Sequence, residues 1–152
     1  VALPASITAA TGMDALTHNV ESYLSPAYHP LCDGIALEGA RIAAHALVKA
    51  VFEPDNLPAR SDMMMSSLMG AIAFQKDLGA VHSCAHALST VADFHHGLAN
   101  GIMIDHVMRF TFRGEREDAD GEPLPQLREK AIELGRTFST NSAANRLKDG
   151  WI

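Results

Sequence analysis

GAVHSCAHALSTVADFHHGLANG, residues 79–101, carries His82, His86, His95 and His96, four of the chain's eight histidines within 15 positions. VHSCAHALSTVA reads as a helix, and His82 and His86, four apart, share one face of it. His82 and His96 are 14 positions apart, which is ~21 Å along one unbroken helix. They can meet only if the chain reverses between them. The segment STVADFH, residues 89–95, mixes helix and loop signals and permits that reversal. A new helix is expected from near Gly97 to about Phe110.

A sparser cluster lies upstream in TGMDALTHNVE, residues 11–21, where Asp14 and His18 are i and i+4. On a helix they face the same way. Imidazole and carboxylate suit zinc, iron and similar divalent ions. Bonds of about 2.0–2.2 Å force all ligands into one small space. The expectation is that the two stretches meet around one divalent metal. Spacing permits this arrangement without demanding it. An isolated Asp/His pair at this spacing is more often a simple helix-surface contact. His29 and His45 read as loop and helix-surface residues, His106 as a core or interface residue, and His95 as solvent-facing. The methionines at 63–65 and 69 read as core rather than ligands.

Composition narrows the rest. The chain has 152 residues, 47% hydrophobic and only 6% aromatic. That is enough for one domain with a core, and it favours helices over a β-sandwich. The net charge is −6, and no basic run points to nucleic acid. The acidic run EREDADGE, residues 115–122, reads as a solvated loop. Two cysteines, Cys32 and Cys84, make no disulfide framework, so a reducing, cytoplasmic setting is expected. MMMSSLMGAIAF, residues 63–74, is too short to span a bilayer and reads as a buried core helix.

Six helical segments are expected. After the entry Val1–Ser6, Gly12 splits a short turn from a firmer helix near Met13–Leu24. Pro26 and Pro30 break the chain, and a helix follows over roughly Leu31–Phe52. Ile35, Leu37, Ile42, Ala46, Leu47 and Val51 populate its apolar side. EPDNLP forms a loop, then a Met-rich helix runs about Pro58–Lys76 with Gly79 as its stop. The two helices of the histidine stretch come next. Gln126–Phe138 is the last, with Leu127, Ala131, Leu134 and Phe138 on one side. Strand alternation is nearly absent. Neither GxGxxG nor a P-loop occurs.

TGMDALTHNVESYLSP, CDGIALEGARI, AFQKDLGAVHSCAHALS and HHGLANGIMIDHVMRF, in that order and spacing, resemble the metal-binding helical domain of the iron-containing (group III) alcohol dehydrogenases. The similarity covers about residues 3–112. It implies an all-α, helical bundle-like metal-binding domain of the dehydroquinate synthase-like C-terminal type, as a single domain over residues 1–152. It implies a piece of a longer protein whose N-terminal α/β domain binds the dinucleotide. It implies that Asp14, His18, His82 and His96 hold Fe(II), or Zn(II), and that His86 lies near substrate and nicotinamide, in a catalytic and cofactor-binding position. NAD or NADP is the implied cofactor, and a small alcohol or aldehyde the substrate. A homo-oligomer, dimer or higher, is expected, without nucleic acid or membrane. The chain departs from the family pattern at His86-Ala87-Leu88-Ser89, where the family usually reads His-Pro-Leu-Gly. It departs again at Ile104-Asp105-His106, where Leu-Pro-His is usual. Both bear on substrate preference.

The implied reaction activates an alcohol on the metal for hydride transfer to NAD(P)+. Two alternatives stand beside it. One is a non-catalytic helical metal-binding or oligomerisation fragment. The other is a metal-dependent phosphohydrolase of the histidine-aspartate type, whose adjacent His-Asp is approximated only by the reversed Asp105-His106.

Overall fold

In the computed structural model the described residues are 3–112 and 125–139, and among them every regular element is helical. The helices are α1 (Ala5–Leu24), α2 (Pro30–Phe52), α3 (Leu57–Ala73), α4 (Ala80–Ala92), α5 (His96–Phe112) and α6 (Pro125–Ser139). α1 is the hub. It packs against α2, α3 and α5, while α4 pairs mainly with α5, and α6 lies against α1 and α2.

α1 is one unbroken helix from Ala5, so Gly12 does not divide it. The glycine packs against flexible side-chain ends of α2 and α3. A Cβ at Gly12 would meet Leu47 Cδ1 of α2 at 2.2 Å. Other small residues let the helices approach in the same way. α2 buries Cys32, Ala36, Gly39, Ala40, Ala43, Ala46 and Ala50, a stripe at helical period. Ile35, Leu37, Ile42, Leu47 and Val51 are only half-buried beside it. The expected apolar face holds at Ala46, and Ile35 and Leu37 pack partly buried against the core, but smaller residues make the seam itself. Close helix contact selects small side chains at the seam and moves larger ones to its flanks.

α3 corrects the sequence reading more sharply. Its buried face is Ala59, Ser66, Gly70 and Ala73. Met64 is 75% exposed and Met65 51% exposed, with Met63 and Met69 half-buried. The Met-rich segment is not a buried core helix. The helix ends at Ala73 rather than Lys76. Gly79 does not stop it. Instead Gly79 is the extended N-cap residue of α4.

A buried polar knot joins the first three helices. Asn19 Nδ2 donates to Ala15 O at 2.8 Å and to Ser66 O at 2.9 Å. Ser66 Oγ donates to Gly39 O at 2.8 Å. A Cβ at Gly39 would lie 2.0 Å from Asn19 Oδ1, so the knot requires glycine there. A second polar lock closes the C-terminal end of α1. Buried Lys76 Nζ donates to Ser22 O, to Ser25 O and to the Asp33 carboxylate. Lys130 of α6 donates to Tyr23 O and to Asp33 Oδ2, each at 2.9 Å. Lys76 thus satisfies carbonyls that a helix end leaves without partners. The apolar core sits at this same end. Val20, Tyr23 and Leu24 pack with Cys32, Ala36, Ala40 and Ala73, and with Leu127 and Leu134 of α6. Phe138 packs partly buried against this core and Ala131 is half-buried, so the expected side of α6 holds.

Between α4 and α5 the chain reverses where expected. Asp93 closes α4 in the left-handed region, φ 53° and ψ 32°. A short polar residue tolerates that conformation. His95 O then accepts the Ala99 N–H at 2.9 Å, and α5 begins on His96. The acidic stretch 115–122 and the tail after Ser139 lie outside the described residues.

Candidate metal centre

Three helices converge near the middle of α1. Asp14 and His18 project from one face of α1, with His18 Nδ1 3.8 Å from Asp14 Oδ2. α4 brings His82, whose Nε2 is 3.4 Å from Asp14 Oδ1. α5 brings His96, whose Nε2 is also 3.4 Å from Asp14 Oδ1. The His18 and His82 rings stack at 4.5 Å between centroids, and the His82 and His96 rings lie 5.5 Å apart. One nitrogen or oxygen from each of Asp14, His18 and His82 lies within 4.8 Å of the others.

Glycines make this convergence sterically feasible. A Cβ at Gly97 would sit 2.1 Å from the backbone oxygen of Ala10. The first turn of α5 therefore lies directly on the α1 backbone, one turn ahead of Asp14. A Cβ at Gly70 would meet the Cβ of His18 at 2.9 Å, so α3 backs the His18 side equally closely.

The site is closed on one side and open on the other. The His82 side chain is 3% exposed, whereas those of Asp14 and His96 are 27% and 34% exposed. His86 lies on the open side. It is exposed, its ring 4.8 Å from that of His96 and 6.5 Å from that of His82. His95, adjacent to His96, is exposed, as are His106 and His29. His29 has a local task, its Nδ1 accepting the Cys32 N–H at the start of α2.

Electrostatics tie the group together. Burial works against the Asp14 carboxylate, but its hydrogen bond with His82 and the three histidine charges outweigh burial and hold its pKa below the usual value. Burial would also depress His82, yet its bonds to Asp14 and Glu21 raise it to about 9. Burial lowers His18 and His96, with Asp14 opposing in both cases.

Two members of the cluster were not singled out from the sequence. Glu21 is 3% exposed and bonds His82 Nδ1 at 2.8 Å. Asn100 is fully buried and donates from Nδ2 to Asp14 Oδ1 at 2.6 Å. Its Oδ1 has no hydrogen-bond partner among the described residues. A periodicity signal existed for both. Glu21 follows His18 by three and Asp14 by seven, and Asn100 follows His96 by four, so each shares a helical face with an expected site residue.

The family model described as "Fe-containing alcohol dehydrogenase family, C-terminal" matches residues 8–149. The chain is 43% identical over 113 residues to a 4-hydroxybutyrate dehydrogenase of Cupriavidus necator, covering 71% of this chain and 30% of that protein. The fold resembles the crystal structure of a 1,3-propanediol oxidoreductase, with TM-score 0.73 and 38% identity over 90% of this chain and 39% of that one. It also resembles a sulfoacetaldehyde reductase of Bifidobacterium kashiwanohense in complex with NAD+, with TM-score 0.71 and 27% identity over 93% of this chain and 40% of that one. The chain thus spans about a third of the length of such relatives.

Proposed function

The chain belongs to the Fe-containing alcohol dehydrogenase family, and on that premise we propose that it is the metal-holding helical portion of an NAD(P)-dependent alcohol dehydrogenase. The observation that carries this reading is the convergence of His18, His82 and His96 on the Asp14 carboxylate from three different helices. The donor set fits the implied ion. One carboxylate and three imidazoles suit Fe(II) or Zn(II), and the unpartnered Oδ1 of buried Asn100 marks a polar interior that the protein leaves unsatisfied.

Asp14, His18, His82 and His96 are the proposed ligands. An ion held by them supplies a Lewis acid for the alcohol oxygen. The chain's own residues do the rest. His82 closes the buried wall and keeps water from that side. The open side, bordered by His96 and His86, admits the alcohol. His86 borders that open side, its ring 4.8 Å from that of His96, and is the proposed acceptor of the hydroxyl proton. NAD(P)+, when bound, would supply the hydride acceptor that converts the alcohol to an aldehyde or ketone. The NAD+ complex of the reductase supports the cofactor class. The nicotinamide is held mainly by the part of the family architecture that this chain does not match. A homo-oligomer in the cytoplasm, with both cysteines free, completes the reading.

Elemental analysis of anaerobically purified protein tests this assignment and identifies the ion. About one metal per chain is expected. His82→Ala and His96→Ala each remove most of it, and His95→Ala leaves it in place. Loss on His95→Ala with retention on His96→Ala overturns the assignment.

A second reading is a helical metal-binding or oligomerisation piece without turnover. NAD+ reduction with short primary alcohols discriminates, since a non-catalytic piece binds metal and yields no NADH. The phosphohydrolase alternative gains no support from Asp105, whose carboxylate is paired with Arg109 at 2.9 Å.

A further inference from the structure

We propose that Glu21 is a positioning residue of the metal centre, holding His82 as its Nδ1–H tautomer and turning Nε2 toward the Asp14 carboxylate. This rests on the reading of Asp14, His18, His82 and His96 as ligands. Asp14, His18 and Glu21 occupy positions i, i+4 and i+7 of α1, so one helical face carries two ligands and the residue that orients a third.

The Glu21 carboxylate gathers three N–H groups from α4. Oε1 accepts from Val81 N at 2.7 Å. Oε2 accepts from His82 N at 3.0 Å and lies 2.8 Å from His82 Nδ1. The two backbone donors belong to the first turn of α4, which has no intrahelical acceptors for them. A negative charge at a helix N-terminus is favourable as well. The same anchor therefore sets where α4 begins and how its third residue is rotated. A Cβ at Gly79 would come within 2.4 Å of Oε1, so the carboxylate fits only because the N-cap residue is glycine.

The tautomer follows from the inventory of donors. An ionised carboxylate only accepts, so the Nδ1 facing it carries the proton. Once a metal displaces the proton that Nε2 shares with Asp14 Oδ1 at 3.4 Å, the ring is neutral and its lone pair is on Nε2. Carboxylates that orient ligating histidines in this way typically contribute about 10–100-fold to metal affinity.

The test uses Zn(II) as a diamagnetic probe, with affinity measured by competition against a chromophoric chelator. Nitrogen-15 spectra of the zinc-loaded protein report which ring atom of His82 is protonated. Wild type should show a protonated Nδ1 and a zinc-bound Nε2. In Glu21→Gln the one remaining oxygen accepts from Val81 N, while the NH2 in the place of Oε2 leaves the His82 N–H without its acceptor and donates to Nδ1, driving the proton to Nε2. Zinc affinity should then fall about 10–100-fold, with helicity retained. Glu38→Gln, which removes an exposed carboxylate paired with Arg41, should bind zinc as wild type does. Zinc on Nδ1 of wild-type His82 overturns the proposal, and this spectrum decides even if Glu21→Gln fails to fold. Unchanged zinc affinity in Glu21→Gln, with binding abolished in Asp14→Ala, overturns the role of Glu21 and leaves the ligand reading intact. Absence of zinc binding by wild type overturns both.

Discussion

Lys76 is a single residue with four acceptors. It is buried at the end of α1 and balances Asp33 while satisfying helix-end carbonyls. Lys76→Met keeps most of the apolar stem and removes the charge. Because hydrogen bonds to a charged group are worth about 1.5–3 kcal/mol, and Lys130 still partners Asp33, a loss of about 2–3 kcal/mol is expected in urea unfolding. Asp33 gives the matching pH dependence. Burial pushes its carboxyl up, but Lys76 and Lys130 outweigh burial and hold its pKa below the usual value. The unfolded chain therefore binds this proton more readily than the folded one. The associated stability is present above about pH 4, the unfolded value, and is lost as pH falls through the lower folded value. Asp33→Asn should flatten that acid limb. An unchanged limb would remove Asp33 from the account.

At the scale of the element, glycine substitutions separate packing from propensity. Alanine in place of glycine inside a helix ordinarily stabilises by roughly 0.5–1 kcal/mol. Gly34 of α2 has nothing within 4 Å of where a Cβ would stand, so Gly34→Ala should raise the unfolding free energy by that amount and the unfolding midpoint with it. Gly97→Ala should do the opposite. Its Cβ would collide with the Ala10 backbone, lifting α5 from α1 and drawing His96 away from Asp14. Bound metal and thermal stability should fall together. Retention of both would mean that α5 is not set by this contact.

At the scale of the whole molecule, the proposed ligands come from α1, α4 and α5, and α4 touches α1 far less than it touches α5. A bound ion would tie the α4–α5 pair to the α1 hub. At free metal 100-fold above its dissociation constant, such an ion stabilises by about 2.7 kcal/mol. Stripping it with a chelator should lower the thermal midpoint and speed hydrogen exchange mainly in α4 and α5. Uniform exchange across α1–α3 and α4–α5 would contradict this.

Sequence alone determined the helical class, the approximate spans of α2 to α6 and the reversal near Asp93. These follow from local periodicity, turn chemistry and recognisable spacing, which act within a few residues. Tertiary structure decided the rest. Gly12 looked like a break and is a packing contact, because its meaning depends on Leu47, 35 positions away. The Met-rich α3 looked buried and exposes Met64 and Met65, because the α1–α3 seam selects Ser66 and Gly70 instead. Glu21 and Asn100 stood out from neighbouring polar residues only once folding set them against His82 and Asp14. Periodicity assigns a residue to a face, but only packing between distant segments determines what that face meets.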